Sequence, residues 1–187
     1  MKQAGKRPPG RPLSAEAHAA LLDAAWWRLI EDGYSALTVD GIAKAAGAGK
    51  QTLYRRWPSK AALAIEALAA KTAARIDRPR DAAVRRGDLL AFLKAELAGL
   101  KPYATSLPAL LADAHANPQT AEAFRSGMIA PRQAALREVL AAASPDPDIR
   151  DALVEGIDGA IWRRIFLGEP LDDAFAARLS RLVSPRR

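Results

Sequence analysis

The chain contains 187 residues, of which 50% are hydrophobic and 26% are charged, the balance of an ordinary globular protein with one large or two small domains. It has no cysteine, which excludes a disulfide framework, a zinc ribbon and a thiol nucleophile, and its two histidines, His18 and His115, are too distant in sequence to indicate a metal site. No apolar run approaches the ~18 residues that a membrane-spanning helix requires and no signal peptide is expected, so we predict a cytoplasmic protein without a cofactor.

The net charge of +7 is distributed unevenly along the chain. Residues 1–79 hold 13 Lys and Arg against 7 Asp and Glu, a net charge of +6, whereas residues 80–187 hold 15 against 14, a net charge of +1. This asymmetry is typical of a module that binds a polyanion such as DNA. A solvated basic surface without a partner is the alternative interpretation.

Residues 1–13 are basic and rich in proline and glycine, with almost nothing to bury. Such a composition predicts a disordered tail. It is also typical of the basic arms that some DNA-binding domains place in the minor groove, in which case Arg7 and Arg11 would contact DNA. The two interpretations are compatible, because such arms are disordered until they bind.

Residues 14–60 have the pattern of three packed helices. Ser14 is predicted to cap a first helix, and apolar residues at helical spacing place that helix over 14–32. A second helix starts at Thr38 and ends at Gly47 after barely two turns, and a third covers the segment KQTLYRRW at 50–57. Helices this short are stable only when they pack on another element, so this region predicts a helix-turn-helix DNA-binding domain.

The third of these helices has the features of a recognition helix. Leu53 and Trp57 are spaced by four residues and should face the first two helices. In a major groove Lys reads guanine, Gln reads adenine and the Thr methyl contacts thymine, whereas phosphate contacts fix orientation without reading sequence. The side chains that point outward or flank the groove are Lys50, Gln51, Thr52, Arg55 and Arg56, and those best suited to phosphates are Thr38, Tyr54 and Lys60.

The remainder of the chain is predicted to be helical, which makes the fold class all-α. A longer helix begins at Pro58, and its residues 61–79 connect the DNA-binding domain to a second helical domain at 80–187. Asn117 is predicted to cap a helix that Pro118 begins. The further segments, with a kink or break expected near Gly127 because of Pro131, are 87–101, 105–116, 118–143, 147–167 and 171–184.

Apolar and aromatic side chains in the second domain are candidates for a ligand cavity. For any single residue, core packing is the better interpretation. As a group, the aromatic and methionine side chains suit an apolar cavity with a few polar groups. The predicted lining is Phe92, Leu97, Tyr103, Leu107, Leu111, His115, Phe124, Met128, Trp162 and Phe166.

The last two helices carry small and apolar stripes that are candidates for a subunit interface. Small residues on the segment 147–167 permit a close approach of helices, and the segment 171–184 has an apolar stripe. Packing in the same subunit's core is the alternative. The predicted two-fold four-helix interface consists of Leu153, Gly156, Ile157, Ala160, Ile161, Phe175, Leu179 and Leu182.

Two other classes of function are alternatives for this sequence. A nucleotide-binding enzyme is disfavoured, because GAGKQT departs from the phosphate-binding loop at the first glycine, at Gln51 and in lacking a preceding strand. The chain is therefore predicted not to be an enzyme. A ligand-independent, architectural DNA-binding protein would share the basic N-terminal region, so only the second domain discriminates against it.

The segment LTVDGIAKAAGAGKQTLYRRWPSK at 37–60 resembles the DNA-binding signature of the TetR/AcrR family of bacterial transcriptional regulators. The likeness covers residues 14–68, and GAIWRRIFLGEPLDDAF at 159–175 resembles the last two helices of one subgroup. The resemblance implies an all-helical ligand-binding and dimerisation domain, and a homodimer on a palindromic DNA operator. It further implies a repressor that a small molecule releases.

The resemblance also assigns roles to single residues. It implies base contacts from Lys50, Gln51, Thr52 and Arg55, and phosphate contacts from Thr38, Tyr54 and Lys60. Gly49 stands where a capping serine is common, so the recognition helix should lack that hydrogen bond. Arg56 stands where an aromatic residue or histidine is common, which would add a phosphate contact. Arg163 and Arg164, beside Trp162, favour an apolar or aromatic effector with an acidic group.

Overall fold

The computed structural model of the protein describes residues 14–183, which form a succession of helices with no strand among them. The predicted all-α class is confirmed. The arm at 1–13, with Arg7 and Arg11, lies outside the described residues. The helices are α1 (Ala15–Glu31), α2 (Gly33–Ala36), α3 (Val39–Ala45), α4 (Lys50–Arg56), α5 (Lys60–Arg86), α6 (Leu89–Leu100), α7 (Leu107–His115), α8 (Pro118–Phe124), α9 (Ala130–Leu140), α10 (Pro147–Leu167) and α11 (Asp173–Val183).

Helices α1, α3 and α4 form the predicted helix-turn-helix module, which we call the reading head. The Ser14 hydroxyl accepts a hydrogen bond from the amide of Ala17 at 3.1 Å, which caps α1 as the sequence predicts. The Thr38 hydroxyl caps α3 in the same way, by accepting from the amide of Gly41 at 3.1 Å. The turn between α3 and α4 passes through Gly47, whose φ of +62° favours glycine. The single-turn helix α2 was not predicted.

Helix α5 connects the reading head to the rest of the molecule, which we call the body. It begins at Lys60 with Ser59 as its cap, two residues after the predicted start. The predicted end of the connecting helix at 79 is wrong, because α5 continues through Pro79 to Arg86. Pro79 is exposed, so water can replace the backbone hydrogen bond that proline removes.

The body packs α6, α8 and α9 against α5, with α10 against α9 and α11 against α6. A 3₁₀ segment (Lys101–Ser106) joins α6 to α7, and a π-helical turn (Arg125–Ile129) joins α8 to α9. The chain stays helical through this turn, which replaces the kink or break predicted near Gly127 by a local change of helix type just before Pro131. None of the helices in the described range is long and apolar enough to cross a membrane.

Candidate DNA-binding surface and effector cavity

The outer side of α4 carries the polar side chains predicted to meet DNA. Leu53 and Trp57 are only 1% and 4% exposed and anchor the helix from behind, as the sequence predicts. Thr52 is half-buried at the edge of this surface. The exposed predicted residues are Lys50, Gln51, Tyr54, Arg55 and Arg56.

Trp57 is held by two residues that sequence reasoning did not single out for this role. Its indole N–H donates to Glu66 Oε2 at 2.6 Å, and its ring stacks on the His18 imidazole with centroids 5.5 Å apart. His18 Nε2 lies 3.0 Å from the other oxygen of Glu66. A buried indole N–H requires a hydrogen-bond acceptor, and this requirement was the signal in the sequence that could have indicated a partner for Trp57. The cluster ties the end of the recognition helix to α1 and α5.

Two of the side chains that are predicted to contact DNA interact with acidic or aromatic neighbours in the structure. Lys50 Nζ lies 2.7 Å from Asp40 Oδ1, and its hydrogen bond to Asp40 raises the pKa of Lys50. Lys60 Nζ lies 4.5 Å from the centroid of the Tyr34 ring and 3.4 Å from the Tyr34 carbonyl oxygen. Gly49 caps α4 without a side-chain hydrogen bond, as predicted.

A cavity of about 300 Å³ lies inside the body, between α5, α6, the 3₁₀ segment, the π-helical turn, α9 and α10. Its volume is at the lower end of the range for small-molecule sites. Among the side chains predicted to line it, Tyr103, Met128 and Trp162 do so. The lining residues that were not predicted are Ala69, Thr72, Ala73, Ile76, Asp77, Arg80, Glu96, Leu100, Gly127, Pro131 and Arg132.

The other predicted lining residues lie elsewhere. Phe124 packs on Trp162 with ring centroids 5.8 Å apart and so supports the cavity wall from behind. Phe166 does not line the cavity beside Trp162, because its side chain is 57% exposed. His115 is also exposed, and Leu111 is half-buried away from the cavity. The remaining side chains pack in the core outside the cavity lining: Phe92, Leu97 and Leu107.

Charged side chains are buried at and behind the cavity wall. Arg132 Nη2 lies 2.9 Å from Asp158 Oδ1, and both side chains are less than a tenth exposed. Asp158 also accepts from the amide of Gln133 at 2.8 Å. Glu96 is 3% exposed, and burial raises the pKa of this carboxyl to about 7 against the opposing effects of Arg132 and Arg80.

These charges could have been found from the sequence. Glu96 lies on the apolar stripe of α6, one turn from Phe92 and Leu100. Arg132 and Asp158 occupy the buried faces of α9 and α10 in the same manner. A charged side chain at an inward-facing position requires a partner or a ligand. Such residues are therefore stronger candidates for the ligand site than the apolar residues around them.

Side-chain contacts join the cavity to the reading head. Tyr103 lines the cavity, and its hydroxyl is 2.7 Å from that of Thr72. Its ring and that of Trp26 of α1 pack edge to face, with centroids 5.7 Å apart and planes at 73°. Away from the cavity, the Tyr34 hydroxyl of α2 donates a hydrogen bond to the Asp113 carboxylate of α7. Burial and this carboxylate raise the pKa of Tyr34 well above its ordinary value.

The candidate subunit interface divides into an outer and an inner set. Leu153 and Ala160 are half-buried, and Gly156 and Leu182 are exposed, so these four are available to a partner. The other four pack within the subunit's own core and do not belong to an exposed face: Ile157, Ile161, Phe175 and Leu179.

A basic three-helix reading head joined to a helical body with an internal cavity defines a DNA-binding regulatory protein. The family model described as "Bacterial regulatory proteins, tetR family" matches residues 21–67. A model described as "Tetracyclin repressor-like, C-terminal domain" matches residues 79–183. The chain therefore belongs to the TetR family, and it is a transcriptional regulator and not an enzyme.

Individual relatives agree with this assignment. The chain is 34% identical, over 86% of its length and 88% of the relative's, to the DNA-binding transcriptional repressor TetR of Mycobacteroides abscessus. The TetR family transcription regulator SCO0332, whose crystal structure is known, is 33% identical in sequence to this chain. The two structures match with a TM-score of 0.72 over 90% of this chain and 97% of the SCO0332 chain. The multidrug binding protein EbrR, solved with imidazole, shares the fold with a TM-score of 0.62 at 19% identity, over 93% of this chain and 98% of its own.

Proposed function

We propose that this regulator is a repressor that binds a palindromic operator as a homodimer and leaves it when a small effector enters the body. The observation that carries the proposal is the contact between the cavity and the reading head through Tyr103 and Trp26. The same cavity favours an effector-controlled protein over an architectural DNA-binding protein.

The proposed operator contacts come from the outer side of α4. Gln51 and Lys50 are suited to base edges together with Thr52 and Arg55, and Arg56 is suited to a flanking phosphate. Thr38, Tyr54 and Lys60 would hold phosphates on either side of the groove. Lys50 must leave Asp40 or share it when it reaches DNA, because the two are ion-paired in the free protein.

The proposed dimer forms through the outward face of α10 together with the end of α11. Gly156 and Gly159 have no atom near a Cβ built on them, so a partner helix can approach closely. Large apolar side chains exposed beyond these glycines would be covered at the same time. They are Ile149, Phe166, Leu167 and Leu182.

For release, the effector must bind more tightly to a conformation of the body in which the distance between the two reading heads does not match the DNA. Two recognition helices reach successive major grooves only when they are about 34–36 Å apart, and a tilt of α5 would change that distance. Thr72 and Ile76 of α5 line the cavity, so a ligand there contacts the helix that carries the reading head. A hundredfold preference for the second geometry corresponds to ~2.7 kcal/mol of coupling.

Selection of bound sites from random DNA, combined with sedimentation of the free protein, tests the proposal. We expect an inverted repeat whose half-sites are one helical turn apart, and a species of twice the chain mass at micromolar concentration. A monomer at that concentration, or a single unrepeated site, would contradict it.

A further inference from the structure

The cavity wall contains an acidic group whose bonding capacity the protein does not use. Glu96 is 3% exposed and lines the cavity. Its Oε1 atom is buried and has no hydrogen-bond partner among residues 14–183. A buried carboxylate oxygen without a donor is unfavourable by itself, so this atom is available to a ligand that brings one.

The basic groups around Glu96 are already engaged by other carboxylates. Arg132 lies 2.9 Å from Asp158, and Arg80 lies 2.6 Å from Asp77. The nearest cationic atom to Glu96 Oε1 is Arg80 Nη1, at 4.0 Å, which is beyond hydrogen-bond distance. When Glu96 is ionised, the carboxylates of Glu96, Asp77 and Asp158 outnumber the guanidinium groups of Arg80 and Arg132 by one. Asp81, 3.7 Å from Arg80 Nε, adds to this excess of negative charge.

The rest of the lining is apolar and aromatic. Trp162, Met128, Ile76 and Leu100 surround the space next to the carboxylate. A hydrocarbon or aromatic group of a ligand would be removed from water in this space. A cationic group attached to it would contact the Glu96 carboxylate. A ligand with both parts satisfies the whole site.

We propose that the effector is a lipophilic organic monocation, such as an arylalkylamine, whose ammonium group donates to Glu96 Oε1 while its apolar part fills the cavity. This inference rests on the proposed function of the cavity as the effector site. It replaces the acidic effector expected from Arg163 and Arg164. Those two side chains are engaged by Glu169 and the Pro170 carbonyl oxygen.

An anionic effector is the main rival. Three buried guanidinium nitrogens make no hydrogen bond within residues 14–183, which would suit an anion: Arg80 Nε, Arg132 Nε and Arg132 Nη2, the last of which lies only at ion-pair distance from Asp158. Each guanidinium nevertheless has its own carboxylate within 3 Å, at 2.6 Å and 2.9 Å. An anion would also face the surplus negative charge of Glu96.

Protons should compete with the cation. Burial raises the pKa of Glu96 to about 7, while Arg132 of α9 and Arg80 of α5 oppose this shift and Asp158 of α10 and Asp77 of α5 support it. Below that pH the carboxyl is protonated and loses its charge. The affinity for an ammonium ligand should therefore rise as the pH rises through 7.

Calorimetric titration of the full chain with phenethylamine, phenethyl alcohol and hydrocinnamate tests the proposal. At pH 8 we expect phenethylamine to bind at least about tenfold more tightly than the neutral alcohol, as for one charge-assisted hydrogen bond, and hydrocinnamate to bind most weakly. E96Q should remove that preference and its pH dependence. It should leave the affinity for the alcohol within about twofold, and its melting curve reports that the variant is folded.

Glu138 is an exposed glutamate on α9, so E138Q serves as the matched control and should behave as wild type. Tighter binding of the alcohol or of hydrocinnamate, or an unchanged amine affinity in E96Q, would overturn the proposal. Operator affinity measured with each compound separates the two inferences. If phenethylamine binds through Glu96 without changing operator affinity, the cation site stands and the release function fails.

Discussion

The reading head and the body place their charges in opposite ways. In the head, charged side chains lie on the surface of short helices, and the interior is apolar apart from the cluster around Trp57. In the body, Glu96, Arg132 and Asp158 lie inside, and part of the apolar surface lies outside on α10 and α11. The comparison indicates that the head is built to meet a large external polyanion. In the function that we propose, the body encloses a small molecule and meets a second subunit.

The largest effect is expected from removing the anchor of the recognition helix. W57A should destabilise the protein by about 3–5 kcal/mol, because it creates a cavity and leaves Glu66 without its indole donor. Thermal unfolding and operator binding measure the loss. Trp27 is 60% exposed, so W27A should change the free energy of unfolding by less than about 0.5 kcal/mol. Equal losses from the two substitutions would contradict the packing described for the head.

Buried charge in the body should appear as a pH dependence of stability. The folded-state pKa of Glu96, about 7, lies above the ordinary value, so the folded protein binds the proton more tightly than the unfolded chain does. The stability of the wild-type protein should therefore fall as the pH rises from about 4.5 to about 7. E96Q should lose this part of the pH dependence and be more stable than wild type at pH 8.

Denaturant unfolding of both proteins at pH 5 and pH 8 checks the prediction for Glu96. The difference between the two pH values should be smaller in E96Q than in wild type. If the stability of the two proteins depended on pH in the same way, the Glu96 carboxylate would already be satisfied in the folded protein. The contrast between surface charge in the head and unsatisfied buried charge in the body would then be lost.

Within the head, base contacts and phosphate contacts should be separable. Q51A should cost ~1–3 kcal/mol on the selected operator and relax its sequence preference, if Gln51 reads a base edge with both atoms of its amide. K60A should weaken operator and random DNA alike and reduce the dependence of binding on salt. Fluorescence titration at several salt concentrations measures both. If both variants weakened the two DNAs equally, the division of roles would be wrong.

The smallest effect is expected from the ion pair that holds Lys50. D40N removes a negative charge from the DNA-facing side and frees Lys50, so it should tighten binding to random DNA by less than about fivefold. The gain should disappear at high salt, where exposed charges are screened. D151N on α10 serves as a control, because Asp151 also forms an exposed ion pair, with Arg137 in the body. Equal effects of D40N and D151N would contradict a local role of Asp40.

The head was predictable from the sequence because its signals are local. The cap at Ser14, the turn at Gly47 and the inward pair of Leu53 and Trp57 each depend on neighbours within a few residues. The cap missing at Gly49 was predicted for the same reason. Helix bounds in the body were also close to prediction, since prolines and glycines mark them.

The cavity was predicted less well because several helices build it together. Periodicity identifies the inward face of a helix but not whether that face meets another helix or an open space. Phe92 and Tyr103 were therefore indistinguishable in sequence, although only Tyr103 lines the cavity. The predicted end of the connecting helix at 79 was wrong because α5 continues through Pro79, which is exposed, to Arg86.

In the proposed function, a ligand in the cavity of the body weakens the binding of the reading head to DNA. The most direct test is to measure the affinity for the selected operator with and without a saturating compound that raises the melting temperature of the free protein. We expect operator affinity to fall by at least about tenfold, and the operator to lower the affinity for the compound by the same factor. A tight-binding compound that leaves operator affinity unchanged would contradict the account.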